Sequence, residues 1–207
     1  MKRNEYKYKP SWSRVDEFKL RLLRVLRSIT FKRTKPPAFE GLVNNASAWK
    51  VAKVTNIEYA WFEGISYGMY TLSSTANCIR SGWHRAPAYW CSCGFYSLKN
   101  KVNAYKLFNR VRSRDKVFLQ VELYGNIIDH DLGFRSEEQV ITKVYLPGQC
   151  KFKKCSGKTV GLSKNKRILV SSCARHMERG YTLSKLSQIW SLPVSTISPQ
   201  DFGGELA

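Results

Sequence analysis

Residues 117–128 read VFLQVELYGNII. Val117, Leu119, Val121 and Leu123 occupy alternate positions, the period-two pattern of a strand with one face in a core. Gly125-Asn126 offers a two-residue turn and Ile127-Ile128 begins a return strand, so this stretch predicts a β-hairpin. Strand patterns recur on either side of it. Ala48 to Val54 and Gly68 to Leu72 read as strands joined by an aromatic-rich loop, and Gln139 to Leu146 as another, stopped by Pro147-Gly148. A second hairpin is expected from 158–162 and 166–171 around Ser163-Lys164-Asn165. Helical spacing is confined to three places. Ser13 and Asp16 make a capping-box-like start to a helix whose apolar face is Val15, Phe18, Leu22, Val25, Leu26 and Ile29. Residues 99–113 suit a short basic helix, and Thr182 to Trp190 a short amphipathic one.

The chain therefore divides into a basic arm and amphipathic helix (1–38), a β-rich core (39–146), a Cys-rich ribbon with short helices (147–192) and a C-terminal tail (193–207), of which 201–207 should fray. At 207 residues, with 43% hydrophobic and 13% aromatic side chains, it can bury a core. Large multidomain enzymes and wholesale disorder are excluded. Thirty-five Lys and Arg against 15 Asp and Glu give a net charge of +20, a field that a neutral-metabolite enzyme does not need and a polyanion would compensate. The amino terminus has no apolar h-region, and no apolar run approaches the length of a membrane span. The expectation is a cytoplasmic protein with no membrane contact.

Six cysteines fall into two trios, each with a histidine beside it. The first is Cys78-x5-His84-x6-Cys91-x-Cys93, with Gly82, Pro87 and Gly94 able to turn the chain so that ligands converge. The second is Cys150-x4-Cys155-x17-Cys173-x2-His176, two ligand pairs separated by the expected hairpin. Three thiolates and an imidazole suit tetrahedral zinc, and the second spacing is that of a ribbon or knuckle closed at one end. In a reducing compartment disulfides are disfavoured; the competing reading is buried thiols with loop histidines. One or two structural zinc ions are expected. The fold class that follows is α+β, with a β-rich, partly barrel-like core, a zinc-ribbon-like hairpin and a basic N-terminal helix.

Between the second set of ligands lie Lys151, Lys153, Lys154, Lys158, Lys164, Lys166 and Arg167, with no acidic residue among them. Arg21, Arg24 and Arg27 project from the N-terminal helix opposite its apolar face, and Lys32 and Arg33 continue the arm. These are candidate phosphate contacts, against the reading that they are solvated faces. The partner implied is nucleic acid, DNA ahead of RNA. The apolar arc of the N-terminal helix could instead meet a protein, which leaves an adaptor within a nucleic-acid assembly as the rival function. Trp61-Phe62, Trp83, Tyr89-Trp90 and Phe95-Tyr96 read as core rings or shields of the metal loop in preference to stacking platforms. No Walker loop, GxGxxG or GxSxG occurs. His130-Asp131, with Glu122, Glu137 and Glu138 nearby, is the one group that would support a metal-dependent nuclease or hydrolase. No nucleophile accompanies it, and the expectation is a non-enzymatic protein.

Cys78, His84-Arg85-Ala86-Pro87 and Cys91-Ser92-Cys93-Gly94-Phe95-Tyr96, followed by Tyr124-Gly125, His130, Gly133 and Arg135, resemble a two-block pattern of uncharacterised bacterial and phage proteins. In that family Trp-Gly is commoner than Tyr124-Gly125. The resemblance covers about residues 47–176 and leaves the basic arm outside. It implies a bacterial or phage origin and not a function; with the nucleic-acid reading above, the expectation is a regulator or a nucleoprotein subunit in such a cell.

Overall fold

The computed structural model describes residues 45–65, 68–78 and 84–202. The expected N-terminal helix, with Arg21, Arg24, Arg27, Lys32 and Arg33, lies outside them, as does Trp83.

In chain order the elements are β1 (Asn45–Asn56), β2 (Trp61–Gly64), β3 (Met69–Tyr70), β4 (Ser73–Thr75), β5 (Phe95–Leu98), α1 (Lys101–Arg110), β6 (Lys116–His130) and β7 (Gly133–Pro147). There follow β8 (Gly161–Asn165), β9 (Ile168–Ser172), β10 (Gly180–Thr182), α2 (Leu183–Trp190) and β11 (Val194–Ile197). The long hairpin β6–β7 organises the molecule. One edge of β6 pairs with β1, from Asn45↔Tyr124 to Lys53↔Lys116. The outer edge of β7 takes three short strands in succession: β5 opposite 133–136, β4 opposite 138–140 and, running parallel, β11 opposite 144–147. The sheet curls until β5 meets β1, but only at Trp49↔Leu98. One residue pair is a seam and not a ladder, so the partly barrel-like expectation reduces to a curled, open sheet.

Its two faces hold separate cores. Ala48, Ala52, Val54, Leu119, Leu123 and Ile141 face one core, which Phe62, Leu162, Leu186 and Trp190 complete. Side chains such as Leu119 and Leu123, fully buried, each contribute about 1.5–3 kcal/mol. The other core forms where α1 lays Ala104, Tyr105 and Phe108 against Val51 and Phe118. Asn100 caps that helix by accepting from the Asn103 amide, and Lys116, buried, closes its far end by donating to the Phe108 and Val111 carbonyls.

The expected hairpin at 117–128 exists, but its turn is elsewhere. β6 runs on to His130 and reverses at Asp131-Leu132. Gly125, at φ +70°, sits in a bulge between Tyr124 and Ile127, where the Glu137 carboxylate accepts from the Asn126 amide and side chain. A positive-φ glycine before asparagine marks either a primed turn or a bulge, and the tertiary carboxylate selects the bulge. The second hairpin is likewise shifted: β8 and β9 turn at Lys166-Arg167, Lys166 taking φ +58°. Residues 99–113 give a helix only over 101–110. In the segment read as a tail, β11 joins the sheet and Phe202 is buried 4.3 Å from the Tyr105 ring centre, so fraying does not extend to Phe202. No helix among the described residues is long and apolar enough to cross a membrane.

Candidate metal centres

Both cysteine trios converge with their histidines. The ligand atoms of Cys78, His84, Cys91 and Cys93 lie within 4.8 Å of one another, and so do those of Cys150, Cys155, Cys173 and His176. All six thiols are free. In the first cluster Cys78 and Cys91 Sγ are 3.6 Å apart and His84 Nε2 is 3.3 Å from Cys93 Sγ. In the second, Cys155 and Cys173 Sγ are 3.7 Å apart, while His176 Nδ1 lies 3.5 Å from Cys150 and 3.4 Å from Cys173. A tetrahedral ion with ~2.3 Å bonds to sulfur and ~2.0 Å bonds to nitrogen sets S···S edges of ~3.8 Å and S···N edges of ~3.5 Å. The separations above match those edges to within about 0.2 Å, and the remaining ligand atoms lie within 4.8 Å of one another. Each can therefore hold a structural metal ion with four protein ligands.

The second cluster is built by adjacent chain. Gly157 carbonyl accepts from Cys150, Ser171 from Lys151 and Ser172 from Val160, which ties the 150–157 loop to β9. A Cβ on Gly157 would come 2.9 Å from Cys173 Cβ and 3.1 Å from its Sγ, so only glycine lets the two arms close. Cys173 leads into a short 3-10 turn, Ala174–His176. Phe152 covers the His176 ring in parallel at 4.4 Å, shielding a ligand from water.

The first cluster hangs from the main sheet. Cys78 follows β4, whose exit is pinned by the Ala76 amide on Glu137 carbonyl, and Cys91 closes a turn through its amide on Ala88 carbonyl. Gly94 then enters β5 at φ +108°, with no room for a Cβ against Pro87 and the Ser136 carbonyl. Beneath the loop lies Arg135, 1% exposed. Its guanidinium donates to the carbonyls of Cys91, Cys93 and Ala88, and its Nε to His130 Nε2. Gly133, one residue pair from the turn, packs against Ser97 carbonyl where no side chain fits. The two blocks quoted for the resemblance are thus one substructure: the second braces the metal loop formed by the first. Sequence reasoning assigned Arg135 no role; its only trace was the His130-x2-Gly133-x-Arg135 spacing.

Electrostatics in both clusters fit a cation at the centre. Burial opposes ionisation of Cys91, yet hydrogen bonds from the Cys93 amide and from the Cys78, Cys93 and His84 side chains outweigh it and bring the thiol down to about 7. Burial likewise resists at Cys173, but bonds from Cys155 and His176, the Arg175 amide and Cys150 bring it to about 6. Burial pushes Cys93 and Cys150 up. One thiolate forms readily in each cluster and the next is penalised, which a bound dication would reverse. His130 is held below its ordinary range by burial and then by the charge of Arg135, so it belongs to the brace.

Of the residues expected to touch phosphate, Lys153, Lys154, Lys164, Lys166 and Arg167 are exposed and Lys151 is half-buried. They form two groups: Lys151, Lys153 and Lys154 at the metal end of the ribbon, and Lys164, Lys166 and Arg167 at its tip. Four residue steps of β8 (Gly161 to Asn165) separate the ends, or ~13 Å. Among the described residues the ion pairs are Lys53–Glu63 and Lys99–Asp129, so no carboxylate neutralises the ribbon. The aromatic expectation divides. Phe62 is core and Phe95 packs against it, but Trp61, Tyr89 and Tyr96 are 43% exposed and Trp90 is 81% exposed; these rings are neither core nor enclosed shields.

No protein-family model matches the chain, and neither the curated proteins nor the solved structures contain a match to it.

Proposed function

We propose that the chain is a zinc-stabilised nucleic-acid-binding protein, acting as a regulator or as a subunit of a nucleoprotein complex. Three sulfurs and one imidazole nitrogen at tetrahedral spacing favour zinc over harder ions. With four protein ligands in each set, neither centre offers an open coordination position, so the metal serves structure and the surface serves function.

One observation carries the reading: among the described residues no carboxylate forms an ion pair with the ribbon's cations. The half-buried Lys151 acts on a buried cation, Lys116, whose pKa is pulled down to about 8 by burial and then by the Lys151 charge. At the end of α1 and in the segment leading to Lys116, Arg110, Arg112 and Arg114 are exposed. These three arginines extend the candidate phosphate track and were not among the residues singled out from sequence. A polyanion would relieve the repulsion, with release of its counterions as the driving force.

The test is a salt titration of binding to labelled duplex DNA. Replacing Lys151, Lys153 and Lys154 together with Gln should lower the log–log salt slope by up to about 2.7, at ~0.9 per phosphate contact. Elemental analysis of protein purified in reductant should find zinc in both centres. An unchanged slope removes the ribbon as the docking surface, and metal-free folded protein refutes the zinc assignment.

A further inference from the structure

We infer that the loop of the first metal centre is a base-stacking platform on which Trp90 receives an unpaired nucleobase, so that the nucleic acid bound there is single-stranded. The inference rests on the nucleic-acid reading above and narrows its substrate class.

Trp90 is the most exposed large apolar side chain among the described residues, at 81%. An indole left in water forgoes the burial that normally fixes its position. Here the backbone fixes it instead. Tyr89-Trp90 is the tip of a turn closed by the Cys91 amide on Ala88 carbonyl. The carbonyls at both ends of that turn, Ala88 and Cys91, accept from the buried Arg135 guanidinium, and Cys91 is itself a ligand of the cluster. Ala86 and Ala88 are buried beneath it. Among the described residues the ring contact of Trp90 is edge-on, with His84 at 5.9 Å and 67°, which steadies the indole and leaves it 81% exposed. A tip held at both ends displays its ring at little further entropic cost on binding.

The chemistry of the occupant follows. Every nucleobase has a π-face that can lie on an indole without regard to sequence, but in a duplex those faces are covered by neighbouring bases. Arg85, exposed in the same loop, can meet a flanking phosphate, and the chain's net charge of +20 favours a polyanion over a neutral protein surface.

The experiment measures fluorescence anisotropy of a labelled 20-nucleotide oligo-dT and of a duplex of equal length, at one low salt concentration, with zinc content checked for each variant. Trp90→Ala should weaken single-strand binding by about 5- to 150-fold and leave duplex binding within about twofold, while Trp90→Phe should restore most of the single-strand affinity. Should Trp90→Ala lose its zinc, Trp90→Leu, which keeps apolar bulk but no ring, takes its place with the same expectation. Unchanged single-strand affinity, or equal losses on both ligands, overturns the inference and leaves the indole for a protein surface. If the wild-type protein binds neither ligand, the nucleic-acid reading has failed, and with it this one.

Discussion

The two Cys/His centres share a ligand set but not a support. The second is closed by chain within residues 150–176: its loop is laced to β9, and glycine at 157 lets Cys155 and Cys173 meet. The first takes its ligands from a loop whose shape is imposed from Arg135, 42 to 47 residues away in sequence from the carbonyls it holds. A metal in the ribbon therefore organises the segment that binds it, whereas a metal in the first loop joins a frame that the β6–β7 hairpin already provides. The surfaces differ accordingly. The self-contained ribbon carries cations, and the braced loop carries rings.

The sharpest way to break this contrast is to remove one ligand from each. Cys173→Ser should abolish metal binding at the ribbon, forfeiting apparent binding free energy of order 10 kcal/mol. Early proteolytic cuts should then fall between 150 and 180, while the first centre keeps its ion. Cys91→Ser should lose the first ion yet leave the 150–180 segment protected. If either variant released both metals together, the two centres would be one cooperative unit and the contrast would fail.

A smaller effect isolates the brace. Arg135→Met leaves the Ala88, Cys91 and Cys93 carbonyls without their donor and should destabilise the main sheet by about 2–4 kcal/mol in chemical denaturation. Metal affinity at the first centre should fall by about 10- to 100-fold, as for other groups that orient ligands from behind, with the ribbon's affinity unchanged. Arg135→Lys should not rescue, because an ammonium cannot reproduce the planar fork that spans three carbonyls and His130. Equal losses of affinity at both centres would show the effect to be general instability.

The same contrast explains how much could be read from the chain. The ribbon's ligands, the β6 strand and α2 were legible because their signals are local: ligand pairs around a hairpin, alternation over 117–123, and helical spacing before Pro193. The first cluster was readable as a ligand set, but not its support, since nothing adjacent to Cys91 indicates Arg135. Short strands β2, β4 and β11 have three or four ladder pairs each with a long neighbour and exist because those neighbours template them. The Gly125-Asn126 bulge was misplaced as a turn for a related reason: the deciding group, Glu137, arrives from the partner strand. Exposure of Trp90 is likewise a tertiary outcome. Composition gives an indole the same burial tendency wherever it stands.

The smallest prediction concerns how each region carries charge. The ribbon turns most of its lysines to water, while the main sheet draws Lys50 partly inward: its Nζ donates to Gln139 Oε1 at 2.7 Å and lies 4.5 and 5.0 Å from the Tyr70 and Phe95 ring centres. Among the described residues no carboxylate pairs with it, and burial lowers its pKa to about 7 from the usual 10.5. Below about 7 folded and unfolded chains both hold the proton, and the full burial penalty is felt. Between there and 10.5 the folded lysine gives up its proton while the unfolded one retains it, so stability should rise with pH across that window. Because the side chain keeps some exposure, the share due to Lys50 should be about 1–2 kcal/mol and not the full shift. Denaturation of the wild type and of Lys50→Met at pH 7, 8 and 9 reads that share as the difference between the two slopes. Lys116, lowered to about 8, contributes equally to both. Parallel slopes would place the Lys50 ammonium in water, and the main sheet would then differ from the ribbon in topology but not in how it treats a cation.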